Sequence, residues 1–273
     1  MAIYQDAMDT LKLTSRTFYL PIVRLPKGLR EAVASGYLCL RAIDEVEDHP
    51  TLDGSLKAKI LRTISLILQA QTSEDTFSHQ VLESALMEFH DVLPEVTLRI
   101  GEWACLAPTF IAPRVWEATA TMADRMAHWA TNGFEVLSID DLDRYTYGVA
   151  GAVGLLLCDL WAWFEKIQIH RSYAIQFGRG LQIVNILRNR GEDLDRGVNF
   201  FPEDWDEERM FAYARQNLDS FSEYSRTLPK TTFKSFVEIP RALAYATLNA
   251  LERGEQKLTR KTVLDIVQQL DAG

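Results

Sequence analysis

The chain has 273 residues, of which 47% are hydrophobic and 25% charged. That balance is typical of a soluble globular protein with a core large enough for one large domain or two small ones. The formal charge of −9 argues against a nucleic-acid-binding protein, which needs a basic surface to meet phosphates, and it means that an anionic substrate would need local cations.

Cysteine usage and the N-terminus indicate a reducing compartment. Cys39, Cys105 and Cys158 are too few and too scattered for a disulfide framework or a zinc site. The first residues contain neither a basic n-region nor an apolar core, so no signal peptide is expected. The longest apolar run, 148–164, is short for a membrane span and contains Asp159, so we expect a buried helix. We therefore predict a cytoplasmic protein with no transmembrane segment.

Apolar residues recur at helical spacing along the whole chain, whereas strand signals are weak and no repeat or linker is evident. Pro50 ends the first long helix, and Ser138 with Asp141 forms a capping box before a long apolar helix. In chain order, helices are predicted at 28–47, 53–70, 76–92, 94–106, 113–131, 139–165, 170–192, 205–216, 218–227, 231–253 and 260–271. The sequence therefore predicts an all-α protein with a single domain over residues 1–273.

Two predicted helices carry a polar stripe on an otherwise apolar surface. Residues four apart share a helix face, and like charges there cost about 0.2–0.5 kcal/mol per pair, so a divalent cation is expected to draw the carboxylates together. Buried polar groups must also be paired, and two facing stripes around a cavity would meet that demand with metal ions and a ligand. The stripes are Tyr37, Arg41, Asp44 and Asp48 in the first helix, and Gln182, Asn185, Asn189 and Asp193 in 170–192.

These oxygen ligands are the kind that Mg²⁺ prefers, since it commonly bridges one or two carboxylates to substrate phosphates. Arg41, Arg188 and the hydroxyls of Ser15 and Thr17 would add donors to a diphosphate. Such a cluster would neutralise a leaving diphosphate by Lewis-acid catalysis. If the diphosphate leaves an allylic carbon, the carbocation needs a dry pocket, ideally with aromatic faces.

Four ordered stretches, Ser15–Phe18, Tyr37–Asp48, Tyr145–Gly154 and Gln182–Asp193, resemble the squalene and phytoene synthase family across almost the whole chain. The resemblance implies the isoprenoid-synthase (terpenoid-synthase) fold, a helical bundle around a central cavity. It also implies three Mg²⁺ ions when diphosphate is bound.

The family pattern assigns roles to individual positions. It implies that Asp44, Asp48 and Asp193 bind metal, with the Asn189 amide oxygen standing where the family usually has a carboxylate, and these four are the predicted catalytic residues. The polar positions of the predicted substrate site are Ser15, Arg16, Thr17, Tyr37, Arg41, Gln182, Asn185 and Arg188. Phe18 and Tyr145 would border the reacting carbons, and the prenyl-chain pocket would be lined by Val149, Ala150, Val153 and Leu157.

The chain departs from the family pattern at three positions on one side of the site. Asn189 replaces an aspartate, and in Gly197–Pro202 the family's arginine and tyrosine are replaced by Val198 and Phe200. Hydrolysis needs one bound substrate, one ionisation and a water, whereas condensation needs two substrates. The sequence therefore predicts a Mg²⁺-dependent phosphatase that ionises farnesyl diphosphate and releases farnesol and diphosphate.

Two alternatives stay open. The first is a synthase that condenses two prenyl diphosphates head to head into squalene, dehydrosqualene or phytoene, with NADPH required only for squalene. The second is a non-catalytic family member that binds lipids or assists assembly, which the intact Asp44 and Asp48 disfavour. The expected partner is a prenyl diphosphate and not a nucleic acid, peripheral membrane contact is compatible with so apolar a substrate, and the protein would be a monomer or a dimer.

Overall fold

A computed structural model describes residues 2–15, 17–70, 79–255 and 257–272, and all regular secondary structure in these ranges is helical. A 3₁₀ turn, Met87–Phe89, follows the fifth α-helix, and a π-helix, Tyr147–Gly151, joins the ninth to the tenth. The α-helices are α1 Ala2–Thr14, α2 Tyr19–Val23, α3 Leu29–Glu47, α4 Gly54–Gln69, α5 His79–Leu86, α6 Glu95–Leu98, α7 Ile100–Ala104, α8 Ala112–Asn132, α9 Ile139–Thr146, α10 Ala152–Glu165, α11 Arg171–Asp195, α12 Glu207–Thr227, α13 Thr232–Glu252 and α14 Arg260–Ala272.

The prediction of an all-α protein is confirmed, and most helices agree with their predicted positions within a few residues. The single helix predicted at 94–106 is wrong, because α6 and α7 are separated at Arg99, which has φ −94° and ψ 14°. The buried indole of Trp103 explains the break, since its Nε1 donates to the Val96 carbonyl at 2.9 Å. The Trp103 side chain thus donates to a carbonyl that a backbone amide would bond to in a continuous helix.

Two further differences have local causes. The predicted interruption between 205–216 and 218–227 is absent, because the Asn217 side chain donates to the Tyr213 carbonyl at 2.9 Å and so is satisfied inside α12. Helices α1 and α2 were not predicted at all. In α1, Ala7 and Leu11 are fully buried. The helix therefore packs through an apolar face of only a few residues, which gives a weak periodic signal. The part of the predicted helix 76–92 that precedes His79 lies outside the described residues.

The chain divides into two compact units, Met1–Gly133 with Leu156–Gln168 and Phe134–Leu155 with Ile169–Gly273. In the first unit, α3 is buried over most of its surface and packs against α1, α2, α4, α6, α7 and α8. Ser35 donates to the Trp103 carbonyl at 2.7 Å and Thr97 donates to the Ala42 carbonyl at 2.8 Å. These buried hydroxyls are satisfied by neighbouring helices, which fixes the position of α3.

In the second unit, α11 packs against α12, α13 and the π-helix. Glycines let the backbones approach closely. A Cβ on Gly178 would lie 2.4 Å from the Ala150 carbonyl oxygen, and one on Gly154 would lie 2.3 Å from the Ala174 carbonyl oxygen. On the α12 side, Phe177 stacks on Phe221 with ring centroids 4.3 Å apart. The register of α11 is therefore fixed on both sides.

One helical stretch, Ile139–Glu165, is long and apolar enough to cross a membrane by length and composition, and 44% of its apolar window is buried. The central helix of a soluble protein meets the same criterion. The chain passes from the second unit to the first within this stretch, between Leu155 and Leu156. The predicted cytoplasmic location stays a prediction.

The close contact of Gly178 with Ala150 predicts that two glycine substitutions in α11 change the free energy of unfolding in opposite directions. Gly178→Ala should lower the free energy of unfolding by about 1–3 kcal/mol, because the added methyl group overpacks against backbone. Gly191→Ala in the same helix meets nothing within 4 Å and should raise stability by about 0.5–1 kcal/mol through helix propensity. Urea unfolding of both variants measures this difference, and equal stabilities would contradict the close approach.

Candidate active site

The C-terminal turn of α3 concentrates negative charge. Asp44, Glu45 and Glu47 lie in this turn, Asp48 is the C-cap residue, and the turn contains no basic residue. The carbonyl groups at a helix C-terminus carry partial negative charge, which favours cations and disfavours carboxylates there. The end of α3 is therefore suited to bind a cation.

Arg41, one turn earlier, donates to Asp44 Oδ2 at 2.5 Å and also pairs with Glu45. The Asp44 side chain keeps 36% of its surface accessible. Burial and the neighbouring Asp48 nevertheless raise the pKa of Asp44 to about 6, although Arg41 acts in the opposite direction. Arg41 alone thus does not compensate the carboxylate, and a further cation would.

Ser15, Phe18 and Tyr37 lie together in the first unit, and their role at a substrate stays a prediction. Ser15 Oγ accepts from the Phe18 amide at 2.9 Å, and the Phe18 and Tyr37 rings have centroids 6.0 Å apart. The Tyr37 hydroxyl donates to a carbonyl at the end of α1 at 3.2 Å. Burial raises the pKa of Tyr37, so the hydroxyl stays protonated. Thr17 is half-buried beside this group, and Arg16 lies outside the described residues.

The C-terminal turn of α11 has the same electrostatic character as that of α3. It holds Glu192, Asp193 and Asp195 and no basic residue. Asp193 is 7% exposed, and Arg196, the C-cap residue, donates to its Oδ1. Arg196 was missed by sequence reasoning, although its spacing of three residues from Asp193 was the available signal. Arg196 follows its carboxylate partner by three residues, whereas Arg41 precedes Asp44 by three.

The remaining polar residues of α11 are half-buried or exposed along the helix. Asn185 Nδ2 donates to Gln182 Oε1 at 3.5 Å, and Arg188 Nε donates to Asn189 Oδ1 at 3.1 Å. Desolvation lowers the pKa of Arg188, with Glu192 opposing that effect. Arg188 forms no ion pair with any carboxylate that the structure describes, so its charge is available to bind an anion.

Tyr145, near the end of α9, lies in an aromatic group of the second unit. Its ring is 5% exposed and stacks on Phe200 with centroids 4.5 Å apart and an interplanar angle of 22°. Phe134 meets both rings edge-on, at 6.5 Å from Tyr145 and 6.3 Å from Phe200. Sequence reasoning missed Phe134 and treated Phe200 only as the loss of a tyrosine hydroxyl, whereas the structure shows a ring that contacts Tyr145.

The four residues predicted to line a prenyl-chain pocket follow Tyr145 along the chain. Val149 and Ala150 lie in the π-helix, and Val153 and Leu157 in α10. Val149 is 8% exposed, and the other three are half-buried. A π-helical segment is frequent at functional sites. Leu157 belongs to the first unit and the other three to the second, and their sharing one pocket stays a prediction.

The oxygen ligands at the ends of α3 and α11 fit Mg²⁺ if substrate phosphates and water complete its coordination. Over residues 2–15, 17–70, 79–255 and 257–272, no three His, Cys, Asp or Glu side chains lie close enough to hold a metal ion by themselves. Mg²⁺ is commonly held by one or two carboxylates together with substrate phosphates and water. Oxygen ligands at the negative ends of α3 and α11 match that chemistry. The binding of one shared diphosphate by both ends stays a prediction.

The fold resembles those of solved isoprenoid enzymes. The squalene synthase TcSQS, solved with the ligand E5700, aligns with a TM-score of 0.76 at 24% identity, over 97% of this chain and 84% of that one. A dehydrosqualene synthase solved with a ligand aligns with a TM-score of 0.64 at 17% identity, over 99% of this chain and 96% of that one. The class is therefore the all-α terpenoid-synthase fold, as predicted.

Sequence comparison defines the family. The squalene/phytoene synthase family model matches residues 11–209, a range that contains all four motifs. Squalene synthase of Schizosaccharomyces pombe is 31% identical over 89% of this chain and 58% of its own length, and that of Eremothecium gossypii is 28% identical over 93% and 63%. The chain thus spans less than two thirds of the length of these relatives. It belongs to the squalene/phytoene synthase family.

Replacing one carboxylate of α3 should separate function from stability. Asp44→Asn should lower Mg²⁺-dependent diphosphate release by about 100-fold or more, since losses at mere supporting residues of metal sites already reach 10–100-fold. The free energy of unfolding should not fall, because the fold disfavours the charged form of Asp44. Diphosphate release and urea unfolding measure the two effects.

The matched control is Glu45→Gln, which removes a neighbouring charge that also pairs with Arg41. It should leave diphosphate release within a few-fold of the unaltered protein. Undiminished turnover in Asp44→Asn would show that Asp44 does not bind the metal. Equal losses in both variants would show that the effect is not specific to Asp44.

Proposed function

We propose that this protein is a Mg²⁺-dependent prenyltransferase that condenses two prenyl diphosphates head to head, with farnesyl diphosphate as the first substrate to test. The observation that carries the proposal is the family match over 11–209, within which Asp44, Asp48 and Asp193 are intact. The matched relatives in Schizosaccharomyces pombe and Eremothecium gossypii are squalene synthases, and this supports the same class of reaction here. A squalene product would require NADPH as reductant.

The site residues would act mainly on the diphosphate. Arg188, which is unpaired with any described carboxylate, would donate to phosphate oxygens. Arg41, which pairs with Asp44 and Glu45, would also donate to phosphate oxygens. Mg²⁺, when bound, would supply Lewis-acid stabilisation of the leaving diphosphate.

Ionisation of an allylic diphosphate leaves a carbocation that must be shielded from water. Tyr145 would border this cation, since its ring is nearly buried and adjoins other aromatic rings. Aromatic faces attract cations through their quadrupole, and the apolar surroundings exclude water. Condensation then depends on the second prenyl diphosphate reaching the cation before water does.

The farnesol-forming phosphatase predicted from the sequence has less support than the condensing enzyme. Its basis was the joint loss of polar groups at 189, 198 and 200, but Phe200 is packed on Tyr145 and so has a structural role. Asn189 still presents an oxygen, which accepts from Arg188 at 3.1 Å. Only Val198 remains as a plain loss of charge, and we retain hydrolysis as an outcome of the product test.

Product analysis tests the proposal. Purified protein with Mg²⁺ and farnesyl diphosphate should give a C30 hydrocarbon, with NADPH deciding between squalene and dehydrosqualene, and geranylgeranyl diphosphate tests for phytoene. Chelation of Mg²⁺ should abolish product formation, because the carboxylates then lack their cation. Mass spectrometry distinguishes the products, and farnesol as the sole product from farnesyl diphosphate would favour hydrolysis instead.

Substitution at Asn189 tests the metal role of α11. Asn189→Asp should lower the Mg²⁺ concentration for half-maximal diphosphate release by several-fold, because a charged oxygen binds the cation more strongly than an amide oxygen. Asn189→Ala removes the oxygen and should raise that concentration. A Mg²⁺ titration that is identical for both variants would exclude Asn189 as a ligand.

A further inference from the structure

We propose that Phe200 is a positioning residue for Tyr145, whose ring it fixes at the proposed carbocation site. This inference rests on the proposed function, because it takes Tyr145 to border the reacting carbons. The supporting geometry is independent of that role. The two rings lie 4.5 Å apart and are nearly parallel, at 22°, an offset arrangement that aromatic pairs prefer.

Phe134 completes the group and limits the movement of both rings. It lies edge-on to Tyr145 and Phe200, at interplanar angles of 82° and 80°. Phe134 has φ 56°, a left-handed conformation that is uncommon for a bulky residue and persists only where the surroundings hold it. With one face covered by Phe200 and Phe134 against it, the Tyr145 ring has few orientations available.

The loop between α11 and α12, which carries Phe200, is attached at several points within the second unit. The Glu203 amide donates to the Leu137 carbonyl at 3.1 Å. The Arg190 guanidinium lies over the Phe201 ring at 4.2 Å and pairs with Glu207 at 2.5 Å. These contacts fasten the loop to the segment before α9 and to α11. These contacts hold the Phe200 ring in place against Tyr145.

The residue type at 200 follows from this packing. Phe200 is 8% exposed, so a tyrosine there would place a further hydroxyl at a site where it needs its own hydrogen-bond partner. A phenylalanine supplies the stacking face without that requirement. The residue that looked like a lost polar contact thus keeps the aromatic surface beside Tyr145.

Kinetics of Phe200→Leu test the proposal against a matched control. This variant keeps an apolar side chain but removes the stacking ring, and kcat should fall on the order of tenfold while KM changes little, because the ring orientation matters in the transition state. Phe200→Tyr keeps an aromatic ring at this position and should retain most of kcat. Phe201→Leu, in the same loop but packed against Arg190, keeps the stacking ring, so it should cost stability and lower kcat much less than Phe200→Leu.

A double-mutant cycle separates positioning from packing. In a Tyr145→Leu background, Phe200→Leu should change kcat much less than in the unaltered protein, because the ring that it positions is already absent. Equal fold-changes in the two backgrounds would overturn the proposal. A loss of kcat in Phe201→Leu as large as that in Phe200→Leu would do the same.

A spectroscopic readout does not depend on turnover. Protein can be labelled with 3-fluorotyrosine, and the Tyr145 signal is assigned by its absence in Tyr145→Phe. The ¹⁹F resonance of Tyr145 should move in Phe200→Leu, and it should move much less in Phe201→Leu. An unmoved resonance would refute the positioning role even in an active enzyme. If the resonance moves but the unaltered protein forms no C30 product, the proposed function fails while the stacking contact stands.

Discussion

The predicted metal site depends on negative charge at the end of one helix in each unit, which the described residues balance only in part. Two long helices, α3 and α11, end in carboxylates where the helix dipole is already negative, and neither final turn contains a basic residue. Arg41 and Arg196 answer this charge only in part, each from a neighbouring position. A soluble protein that needed only stability would place cations at these ends. The arrangement is explained if Mg²⁺ and a diphosphate complete it.

Within each unit, the neighbouring helices hold one of those helix ends in position. Helix α3 is buried among its neighbours, donates a hydrogen bond from Ser35 to Trp103 and receives one from Thr97 at Ala42, so its last turn has little freedom. Helix α11 is fixed by glycine contacts to the π-helix, where a side chain at 178 would meet backbone at 2.4 Å, and by ring stacking on α12. Rigid helices are better supports for a metal site than loops, because small displacements weaken binding.

Sequence periodicity predicted the helices with long apolar faces and the metal-binding candidates, since both depend on local spacing. It failed where a hydrogen bond or ring contact of a particular side chain decides the structure. Trp103 breaks the predicted helix at Arg99 by binding a carbonyl, and Asn217 stabilises a helix that its residue type would interrupt. The contact of Phe134 with Tyr145 joins residues eleven apart through a left-handed backbone, which no periodic pattern encodes. Stacking of Phe200 on Tyr145 spans 55 residues and was equally invisible.

The packing around residues 189, 198 and 200 changes what their departure from the family pattern indicates about function. From the sequence, three departures on one side of the site looked like the combined loss of a second-substrate site and favoured hydrolysis. In the structure they have different consequences: Asn189 keeps a side-chain oxygen, which accepts from Arg188, Phe200 keeps an aromatic surface against Tyr145, and Val198 alone loses a charge. Under the proposed function, a buried aromatic surface beside Tyr145 would serve condensation more than hydrolysis, because condensation requires that water be excluded until the second substrate reacts. Phe200 is therefore compatible with a condensing enzyme, although its residue type alone suggested a weakened one.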